Sequence, residues 1–117
     1  MINKIYKNKK IVVTGHTGFK GSWLCFWLYL SGADIYGISK SIPTNPSLFK
    51  ILNIKKLIKK DYRINVKDNK KLKNLIEKIE PEIIFHLAAQ ALVKKSYKET
   101  LETFLTNTVG TLNILDI

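Results

Sequence analysis

The chain has 117 residues, 45% hydrophobic and 25% charged, which is the size of one domain with enough apolar material for a real core. Its longest unbroken apolar run, residues 23–30, falls far short of the roughly 20 residues that cross a bilayer, and its basic start leads into a strand and glycine loop, so neither a membrane span nor a secretory signal is expected. The formal charge of +11 comes almost wholly from lysine, with Arg63 the single arginine; without arginine forks or interleaved aromatics the lysine clusters read as solvated faces and not as a specific nucleic-acid surface.

Residues 1–9 read as a frayed basic leader and residues 10–117 as one domain. Ile11, Val12 and Val13 are consecutive and β-branched, the pattern of a parallel strand buried on both faces. Gly15, Gly18 and Gly21 follow at intervals of three, just before a helical segment. The first lets the chain turn sharply out of the strand, the second lets backbone come close to a pyrophosphate, and the third lets the helix pack tightly. The helix start then offers unpaired N–H groups and a positive dipole end, an anion site that needs no charged side chain. This predicts a dinucleotide-holding turn; the plainer alternative is a tight strand-to-helix turn with no ligand.

Residues 22–31 predict the first helix, apolar on nearly every side as suits one pressed between a sheet and other elements, and closed by Ser31-Gly32. Cys25, the sole cysteine, sits there among Trp23, Phe26 and Trp27 and reads as a small buried thiol, so no internal disulfide can form. His16 and His86 lie far apart with no second cysteine, and no metal site can be read. Residues 33–39 predict the second strand. An acid at its end would accept a ribose 2′-hydroxyl, but the sequence there is Ser39, Lys40, Ser41, and Asp34 lies at the wrong end. Two readings stay open: drift at a tolerant position, or a relaxed NAD/NADP preference with Lys40 near a phosphate.

Residues 41–49, with two prolines and Asn45, predict a loop, followed by a short helical stretch through Lys60 and a third strand over 62–66. Asp68-Asn69 caps a helix over 70–79 in which Leu72, Leu75, Ile76 and Ile79 recur at helical spacing. Pro81 starts a fourth strand, residues 82–87, ending in His86-Leu87-Ala88-Ala89-Gln90; the alanines leave room for a flat ring or ribose at the strand's carboxyl end. A last helix from about Glu99 carries Leu101, Phe104, Leu105, Thr108, Leu112 and Leu115 on one face, while Asn107 and Gly110 interrupt it and predict a hydrogen bond or a close backbone contact. The order is β-α-β-(α)-β-α-β-α, α/β in class and half of a doubly wound parallel sheet.

GHTGFKGSWL (15–24), PTNPSLF (43–49), PEIIFHLAAQ (81–90), Ser96-Tyr97, Leu101-Glu102-Thr103-Phe104, Thr106-Asn107 and Gly110-Thr111 resemble the N-terminal part of CDP-glucose 4,6-dehydratases, extended short-chain dehydrogenase/reductases that act on nucleotide sugars. The resemblance runs over nearly all of the chain after Lys9, and its HTGFKGSW and PTNPSLF pieces differ from those of dTDP-glucose and GDP-mannose dehydratases. It implies the first half of a Rossmann-like sheet of about four strands, bound NAD with NADP not excluded, CDP-glucose as substrate, a homodimer, and a cytoplasmic enzyme making a 4-keto-6-deoxy sugar nucleotide. Carried over by position, Gly15, His16, Thr17, Gly18, Phe19, Lys20 and Gly21 would hold the pyrophosphate, and Asn65 and Val66 the adenine, the latter by backbone and apolar contact. Leu87, Ala88, Ala89 and Gln90 would lie on the nicotinamide side, Asn107 would order the active-site helix, and Gln90 and Ser96 would lie near the sugar.

The sequence departs from the family at Ser41 and Asn65, where an aspartate is usual. The family's Tyr-x-x-x-Lys pair is expected beyond Ile117. Tyr6 with Lys10 and Tyr36 with Lys40 match its spacing, but one pair falls in the leader and the other on a strand, where residues four apart stand roughly 13 Å from each other instead of sharing a helix face. The expectation is therefore a fragment without the catalytic half, inactive alone, with the fourth strand's edge open.

Overall fold

The computed structural model describes residues 4–117. Among these, β1 (Lys10–Thr14), β2 (Asp34–Ser39), β3 (Lys60–Arg63) and β4 (Ile83–His86) form one parallel sheet in the order β3-β2-β1-β4. The helices are α1 (Phe19–Leu30), α2 (Leu48–Ile51), α3 (Ile54–Leu57), α4 (Asn69–Ile79), α5 (Val93–Lys98) and α6 (Thr100–Asp116). The two-residue period of β1 divides the core: Ile11 and Val13 pack with Cys25, Leu28, Phe49 and Ile54 on one face, and Val12 packs with Ile38, Leu72, Leu75, Ile76 and Ile79 on the other. Both faces of the central strand are thus covered, as its unbroken β-branched run requires. Asp68 caps α4 by accepting from the N–H of Lys71, and the four apolar residues of that helix are all buried. Burial also pushes the Cys25 thiol up to about 12, an unreactive packing group. No helix among the described residues is long and apolar enough to cross a membrane.

Several elements differ from the sequence reading. Residues 4–6 form a single 3-10 turn, and the leader does not fray there: Tyr6 packs edge-on against Trp27 and Phe85, and the N–H of Asn8 donates to the carbonyl of Gly32. Residues 1–3 lie outside the described residues. The first helix starts at Phe19, not Ser22, because Ser22 already donates its N–H to Gly18 and its hydroxyl to the carbonyl of His16. Nor is α1 covered all round, since Phe19, Trp23, Tyr29 and Leu30 face solvent. The third strand comes earlier than residues 62–66. Its ladder runs from Lys60 opposite Tyr36 to Arg63 opposite Ser39, after which Asn65 turns the chain by accepting the N–H of Lys67 on its side chain.

The last helix inverts its apparent polarity. Leu101, Phe104, Leu112 and Leu115 are exposed, while Gly110 and Asn113 are the residues buried against the domain. A Cβ on Gly110 would stand 2.6 Å from Cγ2 of Val66, so the glycine is what lets this helix approach. Asn113 donates from Nδ2 to the carbonyls of Val66 and Lys67 and accepts from Asn69, fixing the turn that follows β3.

Candidate functional site

The carboxyl ends of the strands meet at one edge, with the glycine turn at its centre. Gly15 has φ +74°, its N–H donates to the carbonyl of Ile38, and a Cβ there would lie 2.7 Å from the main chain of Leu87 and Ala88. Gly21 faces the turn even more closely, its Cβ position only 2.0 Å from the carbonyl oxygen of Gly15. Packing alone accounts for both glycines. Gly18 is different: its φ of −77° suits any residue, and a Cβ there would meet only the oxygen of Gly15, at an ordinary 3.4 Å. Gly18 is also the N-cap of α1 and offers no side-chain cap to the first-turn amides of this 12-residue helix.

The side chains of the turn serve mainly to hold it. His16 is fully buried; Nε2 donates to Asp61 Oδ1 at 2.6 Å, and Nδ1 lies 3.0 Å from the Ser39 hydroxyl. Burial, outweighing the Asp61 carboxylate, holds His16 below its ordinary pKa, so the ring is neutral and Ser39 is the donor to Nδ1. Arg63 closes on Asp61 with two bonds, 2.6 and 3.1 Å, and lies over the Phe49 ring that also meets His16 edge-on. Thr17 donates its hydroxyl to the carbonyl of Ser41 and its N–H to Ser39. His16 and Thr17 are therefore turned into the protein and leave only main chain at the mouth, whereas Phe19 and Lys20 are exposed beside it. The sequence reading missed the partnership of His16 with Asp61 and Arg63. Its signal was Gly37, a lone glycine inside a strand, whose Cβ would collide with the His16 ring at 2.3 Å.

A second chain of hydrogen bonds crosses from the turn to α6. The Thr14 hydroxyl oxygen accepts from the N–H groups of Leu87 and Ala88, each at 3.1 Å, so its own proton goes to His86 Nδ1 at 2.6 Å. His86 Nε2 then carries the ring proton and donates to Thr111 at 3.0 Å, and Thr111 donates to the carbonyl of Asn107 at 2.8 Å. The Asn107 side chain in turn accepts the N–H of Gln90 at 2.8 Å and donates to its carbonyl at 3.1 Å. Leu87, Ala88 and Gln90 are thus brought to the glycine edge and held there by Thr14 and Asn107, two threads that start from residues 93 apart in sequence.

Not every expected role fits the placement. The Gln90 side chain folds back onto both main-chain groups of Leu92 and onto Thr103, so it shapes its own loop. Ser96 spends its hydroxyl on the carbonyl of Val93 and lines, with Thr103 and Asn107, an open cleft of about 400 Å³ between α5 and α6. Val66 is buried against Gly110, which withdraws its side chain from any base and leaves its main chain. Asn65 has its carbonyl oxygen engaged in the turn and its amide nitrogen at the far side of the group. Tyr6 with Lys10 and Tyr36 with Lys40 share no helix face: Lys10 and Tyr36 are strand residues.

A parallel sheet with helices on both faces and a glycine turn leaving its central strand defines a Rossmann-like α/β domain. Within that class the chain belongs to the GDP-mannose 4,6 dehydratase family, whose model matches residues 12–117. It is 45% identical over 117 residues to the CDP-glucose 4,6-dehydratase of Salmonella typhimurium, covering 99% of this chain and 32% of that protein. Among solved structures it is similar to the UDP-glucose 4-epimerase of Thermotoga maritima with UDP-glucose (29% identity, TM-score 0.79, 92% of this chain and 33% of that one). It is also similar to the UDP-glucose 4-epimerase of Thermus thermophilus in complex with NAD (27% identity, TM-score 0.78, 92% and 32%). The chain spans about a third of the length of the relatives it matches.

Proposed function

We propose that this chain is the dinucleotide-holding part of a nucleotide-sugar 4,6-dehydratase acting on CDP-glucose, with NAD as cofactor. The observation that carries the reading is Gly18. Internal packing explains the glycines on either side of it but not Gly18 itself, so its missing side chain answers to something that approaches from outside, at the uncapped start of α1. The choice of CDP-glucose is supported by the 45% identity over nearly the whole chain.

Bound here, NAD would supply the hydride acceptor for oxidation at C4 of the sugar and the hydride needed at C6 once water is lost across C5 and C6. This chain's own residues bind and orient. The first-turn amides of α1 receive the diphosphate, the main chain from Leu87 to Gln90 walls the nicotinamide side, and Thr14 and Asn107 hold that wall in place. Among the described residues no Tyr-x-x-x-Lys pair stands on a helix face.

The test is a comparison of three alanine variants. Gly15→Ala and Gly21→Ala should unfold the chain, because each Cβ meets main chain below 3 Å. Gly18→Ala should keep the wild-type circular dichroism and thermal midpoint yet lose about tenfold or more in NAD affinity by calorimetric titration. A folded Gly18→Ala variant with wild-type affinity would overturn the proposal.

A further inference from the structure

The end of β2 lacks the acid that in this sheet type accepts the ribose 2′-hydroxyl, and Lys40 is the first residue beyond the strand. The glycine turn is laced to this place, through Thr17 to Ser39 and Ser41, so the end of β2 flanks the diphosphate position. A carboxylate does reach it, from a different element. Glu102, in the first turn of α6, sets Oε1 3.5 Å from Lys40 Nζ and Oε2 2.5 Å from Lys67 Nζ. Thr106 donates to Oε1 at 3.3 Å from one turn further along. Lys67 follows Asn65 and Val66 directly, so Glu102 spans the loops that leave β2 and β3. The hydrogen bond from Lys67, with the charge of Lys40 added, holds its carboxyl below the usual carboxylate range, and it is ionised throughout the neutral range.

We infer that Glu102 sets the dinucleotide preference of this domain: it engages Lys40 and Lys67 and so supplies from α6 the negative charge that the end of β2 lacks. The inference rests on the dinucleotide reading above. Two lysines beside the ribose would by themselves attract the 2′-phosphate of NADP, which carries close to two charges. With Glu102 between them, that phosphate must displace a carboxylate held by three donors or lie beside it. NAD, which presents a hydroxyl there, meets no such opposition. Lys40 alone therefore does not mark an NADP site.

The experiment titrates NAD and NADP calorimetrically into the wild-type chain and into Glu102→Gln, which keeps the shape and removes the charge. The wild type should favour NAD. In Glu102→Gln the ratio of NADP to NAD affinity should rise about tenfold, and most of that gain should vanish at 1 M salt, where the screening length is about 3 Å. Lys40→Ala added to Glu102→Gln should also remove most of the gain, which a general loosening of α6 would not allow. An unchanged ratio in Glu102→Gln, with both dinucleotides still binding, overturns the inference and leaves the dinucleotide reading standing. A folded wild-type chain that binds neither overturns both.

Discussion

Asn107 grips the peptide of Gln90 from both sides, accepting its N–H at 2.8 Å and donating to its carbonyl at 3.1 Å. An amide side chain offers both roles from separate atoms, so this residue in the middle of α6 fixes the loop that follows β4 at no cost in unmatched groups. Asn107→Ala should lower stability by about 1 kcal/mol in urea melts, since the pair is exposed and water replaces part of it. The larger effect should be local. Trypsin should cut after Lys94 or Lys95 severalfold faster than in wild type, and amide exchange at Gln90 should rise while exchange in β1 stays the same.

His16 and Gly37 are matched in a stricter way. A methyl at position 37 would lie 2.3 to 2.5 Å from three ring atoms of His16, in a fully buried site. Gly37→Ala should cost about 3 kcal/mol through overpacking. His16→Ala should also destabilise, because it opens a cavity and leaves Ser39 and Asp61 short of a partner. In the double variant the added methyl occupies part of the space the ring left, so the two losses should fall short of additive by about 1 kcal/mol or more in a urea double-mutant cycle. Strict additivity would show that the ring does not occupy that space.

Acid should loosen the domain through both histidines. Burial lowers the pKa of His16 and of His86 below the ordinary 6.5, in His86 with no ionisable partner contributing. A folded pKa below the unfolded one means that the unfolded chain binds the extra protons. The stabilisation is complete above about pH 6.5 and is lost as the pH falls from there toward the folded values. For His86 the structural reason is visible: a proton on Nδ1 would point at a Thr14 oxygen that already accepts two N–H groups. In His86→Gln the proton uptake on unfolding below pH 6.5, read from the pH dependence of the urea midpoint, should be smaller than in wild type.

The sequence was most legible where one residue's type leaves few options. Ile11, Val12 and Val13 announce a strand covered on both faces, the spacing of Leu72, Leu75, Ile76 and Ile79 draws α4, and Asn107 and Gly110 break a helix pattern for the reasons expected, a hydrogen bond and a close approach. What could not be read depends on register and on distant partners. Asp61 reaches His16 only because β3 pairs with β2 so as to set Asp61 opposite Gly37, and a one-residue slip would turn it to the other face. The third strand was misplaced because Tyr62 to Val66 has strand-forming residues, whereas Asn65 ends the ladder by a bond to its own neighbour. The stripe on α6 looked like a buried face because helical spacing reports which residues share a side, not which side meets the sheet.

β4 lies at the margin of the described sheet, with β1 on one side only, and the loop that ends in Gln90 grows directly from it. Any polypeptide that docks along that margin would pass the loop from Leu87 to Gln90 as it pairs. Pairing at that margin and ordering of the loop held by Thr14 and Asn107 are then a single event, so a peptide that adds a strand there could be scored by either readout, β-structure gained or slower amide exchange at Gln90.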